Sequence, residues 1–444
     1  MEAELAKSLE DAKVRFVRVL WCDNANVIRG KAIHIGALPA HVEHGVSLSI
    51  AQQAIPVMYD RVIPETGIEP VSEVWLVPDW STLTTSPYAP GHAHVLGDMV
   101  KEGQPWALCP RSFLKRMLTE ARQEGFEVMG AFENEFYLLR STADGDIPVD
   151  TTGFCSALGM DLNQAVIDEI AEALIAQAIP VELYYPESGP GQHEISVRYT
   201  QALQAADQQI AFRRTVHGVA ARHGLKASFL PKLYIDKAGS GCHLHLSLWR
   251  DRQNLLPDAN GTGNLSEIAR AFIAGLLHHL NALMALTTPS VNSYRRISPH
   301  AWSSAFRCWG LDNREAAVRV PSKPTGPGPT HFELRAIDAS ANPYLALGAV
   351  IAAGLDGIRR GLDPGEPVTV DPGHLSESER QARGIDPLPA NLGDAIAHLS
   401  GNKTLLRALG PQFAQAFLAV RKAEWEALKD LELEEEVKLL LESY

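Results

Sequence analysis

The residues of this chain able to do chemistry recur at alternate positions of apolar-backed segments. In AFENEFYLL, Glu133 and Glu135 are separated by one residue. Successive strand side chains point to opposite faces, so in a strand both carboxylates project from the same side. At a rise of about 3.3 Å per residue they stand roughly 7 Å apart. At an effective dielectric of about 20 their repulsion is on the order of 2 kcal/mol. GSGCHLHLSLW puts His243, His245 and Ser247 on one face and Leu244, Leu246 and Leu248 on the other. HFELRAID pairs Glu333 with Arg335, and YYPESGPGQHEISV places Glu187 and Glu194 either side of a Gly-Pro-Gly turn. A lone E-x-E pair reads most simply as a solvated strand face. Several strand faces carrying carboxylates and imidazoles opposite apolar faces describe a lined cavity.

Carboxylate-rich ligand sets with an imidazole suit Mg²⁺ or Mn²⁺. The five cysteines (Cys22, Cys109, Cys155, Cys242, Cys308) form no CxxC pair, which argues against structural zinc and reads as free thiols of a reducing, cytoplasmic setting. Two hard cations among these carboxylates would also hold nucleotide phosphates. Arginines supply the other half: NREAAVRVP gives Arg314 and Arg319, and NSYRRISPHAWSS gives Arg295 and Arg296. Guanidinium forks match carboxylate and phosphate geometry. The second of these segments also carries Trp302, a large apolar surface that is costly to leave in water in so polar a loop.

The elements that must position these residues fall into two parts. Residues 14–36 read as two strands joined by a turn around Asp23–Asn26, and 72–100 add short apolar runs, giving a small, mostly β domain over 1–105. A helix ending at Gly125 opens a larger domain, 106–444, in which strands alternate with helices at 161–178, 202–223, 268–288 and 342–361. The C-terminus, 411–441, reads as one long charged amphipathic helix. The fold class is α+β. The 444 residues carry a formal net charge of −13, which argues against a general nucleic-acid or anionic-membrane binder. No run approaches the roughly 18 apolar residues of a membrane span. The N-terminus MEAELAKSLEDAK is a charged helical pattern without a signal core.

Taken in order, the E-x-E strand, GQHE, GSGxHxHxSLW, NSYRR, NREAAVRVP and ExRxxDxxANPYL resemble the motifs of glutamine synthetases over essentially the whole chain. WCDNANVIRGKA resembles that family's small β-grasp domain, and ALCPRSFLKRML the start of its catalytic α/β domain. The resemblance implies ATP and Mg²⁺ or Mn²⁺, with Glu135, Glu187 and Glu194 on one metal and Glu133, His243 and Glu333 on the other. It assigns His245, Ser247 and Arg319 to the nucleotide, and Gly239, Arg296 and Arg335 to glutamate and the reacting groups. Arg314 falls at the position that stabilises the transferring phosphoryl group. Homo-oligomeric rings, often dodecamers, with sites between subunits are implied as well.

Two positions depart from the family. Ammonia-using members carry an acid six residues after the second arginine of NSYRR, where this chain has Trp302. A second ammonium-binding aspartate of the small domain has Val46 as its nearest counterpart. Losing a general base without replacement lowers the rate by about 10²- to 10⁴-fold. A tryptophan there can instead pack an alkyl group, or face a substituted ammonium with a cation–π attraction of about 0.5–2 kcal/mol. The expected reaction is therefore ATP-dependent joining of glutamate to an amine through γ-glutamyl phosphate. His300 or a nearby glutamate would take the amine's proton. An ammonia-using glutamine synthetase and a non-catalytic, regulatory relative stand as alternatives; the P-x-x-W loop also resembles glutamine-synthetase-like nodulin and fungal developmental proteins. No tyrosine lies between Tyr344 and Tyr444, so the adenylylation site of some bacterial members has no counterpart.

Overall fold

A computed structural model describes residues 2–323 and 328–444. In the N-terminal part five strands form a mixed sheet in the order Ile28–His34, Phe16–Cys22, His92–Lys101, Glu73–Thr85, Val46–Ser49, with Gln104–Pro105 pairing back on His92–Lys101. Phe16–Cys22 runs parallel to His92–Lys101, and the other pairs are antiparallel. Alternation explains the packing: Val17, Val19 and Trp21 enter a small apolar core together with Val46, Leu48, Val74 and Leu76. The short runs expected over 72–100 are in fact two long antiparallel strands: Pro78 and Asp79 stay in register with Gly97 and Leu96, and an irregularity between Asp79 and Thr84 takes up the residues from Trp80 to Leu83 without ending the pairing.

The turn expected at Asp23–Asn26 is present. Asp23 Oδ1 accepts the Val27 amide at 2.9 Å, and Asn26 holds a left-handed φ of 67°. This hairpin tip is buried against the large domain. Asn342 Nδ2 donates to the Asp23 carbonyl at 3.1 Å, Arg421 Nη2 to that of Asn24 at 3.1 Å, and the Tyr444 hydroxyl to that of Ala25 at 3.1 Å. Buried carbonyls need such partners, so the tip cannot move away without exposing unsatisfied groups. Arg111, at the start of the helix Pro110–Gln123, makes a second tie by reaching Asp79, Asp98 and Asp207.

The large sheet has the path Asp386–Pro387, Phe306–Leu311, Ala316–Val320, Phe332–Leu334, Cys242–Arg250, Glu127–Thr142, Gln192–Val197, Val181–Pro186. Its apolar side chains enter one extended core with the helices Ala157–Ala176, Ala202–Arg222, Glu267–Thr287 and Pro343–Arg360. The last two of these helices touch backbone to backbone. A Cβ on Gly275 would lie 2.2 Å from the Ala353 carbonyl oxygen, and one on Gly357 2.1 Å from that of Ala271. Glu267–Thr287 is long and apolar enough, by length and composition, to cross a membrane, which corrects the expectation that no run approaches such a span. In the folded chain most of it is buried in this core. The C-terminal helix expected over 411–441 is two helices, Pro411–Leu428 and Leu433–Leu440. Glu432 caps the second, and the break lets Glu436 turn inward to Arg295.

Candidate active site

Strand register assembles the carboxylates and imidazoles. His243 pairs with Glu133, and Glu194 with Glu135. His245 and Arg319 both pair with Glu333 from its two neighbouring strands. The intervening residues Phe132, Phe136, Leu244, Leu246 and Leu248 are buried on the opposite face, as the alternation predicts.

At the centre, His243 Nδ1 lies 3.2 Å from Glu133 Oε2 and 3.2 Å from Glu333 Oε1, and His245 Nε2 lies 3.4 Å from Glu133. Glu333 is fully buried, accepting from Arg335 Nη1 at 2.5 Å and from Arg319 Nη1 at 3.0 Å. Burial alone would raise its pKa; Arg335, with His243 and His245, instead holds it at about 2. Burial lowers the His243 pKa to about 4, leaving a neutral imidazole. For His245 the contact with Glu133 outweighs burial, and the pKa is raised.

Glu135, Glu187 and Glu194 form the neighbouring cluster. Burial and the Glu187 charge raise the Glu135 pKa to about 7; burial with Glu133 and Glu135 pushes Glu194 up to about 11. The Tyr185 hydroxyl donates to Glu194, Gly241 N–H to Glu135 at 2.9 Å and Ser188 N–H to Glu187 at 2.8 Å. Carboxylates this crowded hold protons unless a cation replaces them. His243 Nε2 is buried without a partner. A Cβ on Gly241 would fall 2.7 Å from that nitrogen and 3.1 Å from Glu135 Oε1. Oxygen donors and one neutral imidazole nitrogen, left clear of any side chain by Gly241, fit a hard divalent cation.

On one side of the cluster lies a cavity of about 500 Å³ lined in part by Glu133, Ser196, His245, Ser247 and Lys323. Tyr199 and Trp249 also line it, their rings stacked at 6.3 Å. Trp249 was missed in the sequence reading although it continues the alternation of His243, His245 and Ser247. Tyr199 lies beyond its strand and gave no periodic signal. Ser247 Oγ accepts the Trp249 indole N–H at 2.8 Å.

The other side is the loop after the short helix Ser293–Arg296. Its adjacent arginines diverge. Arg295 pairs with Glu436, whereas Arg296 is buried, donates to the Arg335 and Ile337 carbonyls, and keeps its Nε unpartnered. Gly239 packs against Arg296: a Cβ there would meet its Cγ at 2.5 Å. His300, Trp302 and Ser304 all have left-handed φ, near 60°. This costly backbone is tied down by Ser303, which accepts from the Ser298 amide at 2.9 Å, and by Ser304 Oγ, which donates to the Ala316 carbonyl at 3.0 Å. Trp302 is 66 % exposed, against the expectation that water would be avoided, and Arg314 lies over its ring at 6.0 Å. Val46 packs into the small domain's core. A cleft of about 620 Å³ under the loop is lined by His300, Trp302, Arg314, Glu315, Asp371 and His374, among others.

Comparison with known proteins agrees with this architecture. Residues 3–106 match the family model of the glutamine synthetase N-terminal domain, and 107–439 that of the catalytic domain. Type-1 glutamine synthetase 1 of Dictyostelium discoideum is 35 % identical, covering 98 % of this chain and 91 % of its own length. Gamma-glutamylpolyamine synthetase GlnA3 of Streptomyces coelicolor is 36 % identical over 96 % of this chain and 93 % of its own. A solved GmaS/ADP complex superposes with a TM-score of 0.86 at 30 % identity, covering 99 % of both chains. The chain belongs to the glutamine synthetase family of ATP-dependent carbon–nitrogen ligases.

Proposed function

We propose that this chain joins the γ-carboxyl of glutamate to an amine larger than ammonia. The observation that carries the reading is Trp302, an exposed indole on the loop over the cleft where ammonia-using relatives place an acid. The similarity to a gamma-glutamylpolyamine synthetase supports it, although relatives named glutamine synthetase are equally similar.

Glu133, His243 and Glu333, with Glu135, Glu187 and Glu194, would hold divalent cations, whose charge would screen the carboxylates and steady the phosphates of ATP. The cavity lined by His245 and Ser247 would take the nucleotide, with Tyr199 and Trp249 offering faces for its base. Arg296 keeps a buried unpartnered Nε for the glutamate carboxylate. Arg335 joins the two ends: Nη1 donates to Glu333, and Nη2 donates to the Trp302 carbonyl at 3.0 Å. A positive charge fixed between the nucleotide and the loop is suited to the γ-carboxylate as it is activated.

The test is phosphate release from ATP and glutamate, comparing ammonium with a panel of primary amines. Amines should support turnover well above ammonium, and Trp302→Glu should shift preference toward ammonium. Robust turnover with ammonium alone would overturn the proposal.

A further inference from the structure

Removing the acid at 302 leaves the amide-forming step without its expected base, yet a carboxylate occupies that neighbourhood from another element. Glu315 leaves the turn before the strand Ala316–Val320, and its Oε1 accepts the Trp302 backbone N–H at 2.7 Å. The carbonyl of the same residue accepts from Arg335, so the Trp302 backbone is held by Glu315 on one side and Arg335 on the other. Glu315 Oε2 is buried and has no hydrogen-bond partner, while the side chain lines the cleft beneath Trp302. A buried carboxylate oxygen left unpaired costs about 1–3 kcal/mol or more, a cost that a bound N–H would remove.

We propose that Glu315 is the proton acceptor of amide formation, a carboxylate supplied from the neighbouring strand edge in place of the missing acid at 302. The inference rests on the ligase reading above. In the step, the amine nitrogen forms a bond to the γ-carbon of γ-glutamyl phosphate. The bound alkylammonium first gives one proton to Glu315 Oε2; as the resulting amine attacks, the carbon–oxygen bond to phosphate breaks, the electron pair leaves with the phosphate, and the nitrogen's second proton passes to that departing phosphate. An alkylammonium with a pKa of about 10 must lose a proton before it can attack, so an acceptor at the cleft is required.

The surroundings suit the task. Burial raises the Glu315 pKa above the ordinary carboxylate value, with Asp371 adding to the effect; the Trp302 N–H, Arg335 and His300 work against it. Arg314, Asp312 and His374 are the other charged or titratable groups lining the cleft. A carboxylate raised toward neutral pH is the stronger base. His300, the other acceptor suggested by the sequence, is already paired with Asp371 at 2.8 Å.

The experiment compares nucleophiles in Glu315→Gln, whose amide oxygen can still accept from Trp302. Turnover with a primary alkylamine should fall about 10²- to 10⁴-fold. Hydroxylamine is unprotonated at neutral pH, so γ-glutamyl hydroxamate formation should fall far less, as should glutamate-dependent ADP formation. Raising the pH should restore part of the variant's amine rate as free amine accumulates, and Glu315→Asp should recover part of it at neutral pH. Equal losses with alkylamine and hydroxylamine would reduce Glu315 to a loop anchor, and an unchanged amine rate would remove it from the reaction; either result overturns the inference. Wild-type protein that uses ammonium alone would sink the amine reading, yet the same comparison with ammonium would still decide the role of Glu315.

Discussion

Glu133, Glu135, Glu194, His243 and Glu333 sit on paired strands, each opposite a named partner and each backed by buried apolar residues. Trp302 and Glu315 sit on a loop and a turn, held by a few side chain–backbone bonds and by three residues in left-handed backbone. On the sheet, moving one side chain means shifting a whole strand by two residues. On the loop, one exchange of residue type changes what the cleft admits. The division suits a ligase whose nucleotide chemistry is fixed and whose second substrate is free to vary.

This contrast breaks most readily at Glu333. Glu333→Ala would leave Arg335 and Arg319 buried without their shared carboxylate and should destabilise the chain by about 3–5 kcal/mol, read by urea unfolding. A loss no larger than that of a surface substitution would mean the sheet end is not the rigid half.

A second test concerns the crowded carboxylates. With pKa values near 7 for Glu135 and about 11 for Glu194, the cation-free cluster is partly protonated at neutral pH. Folded-state pKa values above the ordinary carboxylate range mean that protons compete with the cation. Affinity for Mn²⁺ should therefore rise as pH increases through 7, with protons released on binding. At a hundredfold excess over Kd the metal should stabilise the fold by about 2.7 kcal/mol, seen as a rise in Tm. Affinity independent of pH from 6 to 8, on the order of the shifts above, would contradict the cluster's assignment.

The smallest effect on stability belongs to the loop. Trp302→Ala should change folding stability by no more than about 0.5 kcal/mol, because the ring is largely exposed. It should raise KM for the amine several-fold and leave KM for ATP unchanged. A large fall in stability, or equal changes in both KM values, would erase the distinction between the two ends.

Much of the sheet end could be read from spacing. Alternation placed Glu133 with Glu135 and His243 with His245, and it extends to Trp249 as well. The turn at Asp23–Asn26 followed from its polar residues between two apolar runs. The long C-terminal helix did not survive, since helical periodicity carries no information about Glu436 turning inward to a partner 141 residues away. Arg314 lies over the Trp302 ring, a contact for which no spacing in the chain gives a signal.

The sequence by itself determined which side chains share a strand face, because that depends only on local period, and its resemblance to glutamine synthetase motifs marked Trp302 as standing where an acid is expected. Tertiary structure alone decided that Glu133 meets a histidine 110 residues away, that Glu333 lies between His245 and Arg319, and that Glu315 reaches the Trp302 amide. These are choices of strand neighbour and turn direction. They are set by long-range burial and hydrogen-bond satisfaction, which leave no periodic trace in the chain.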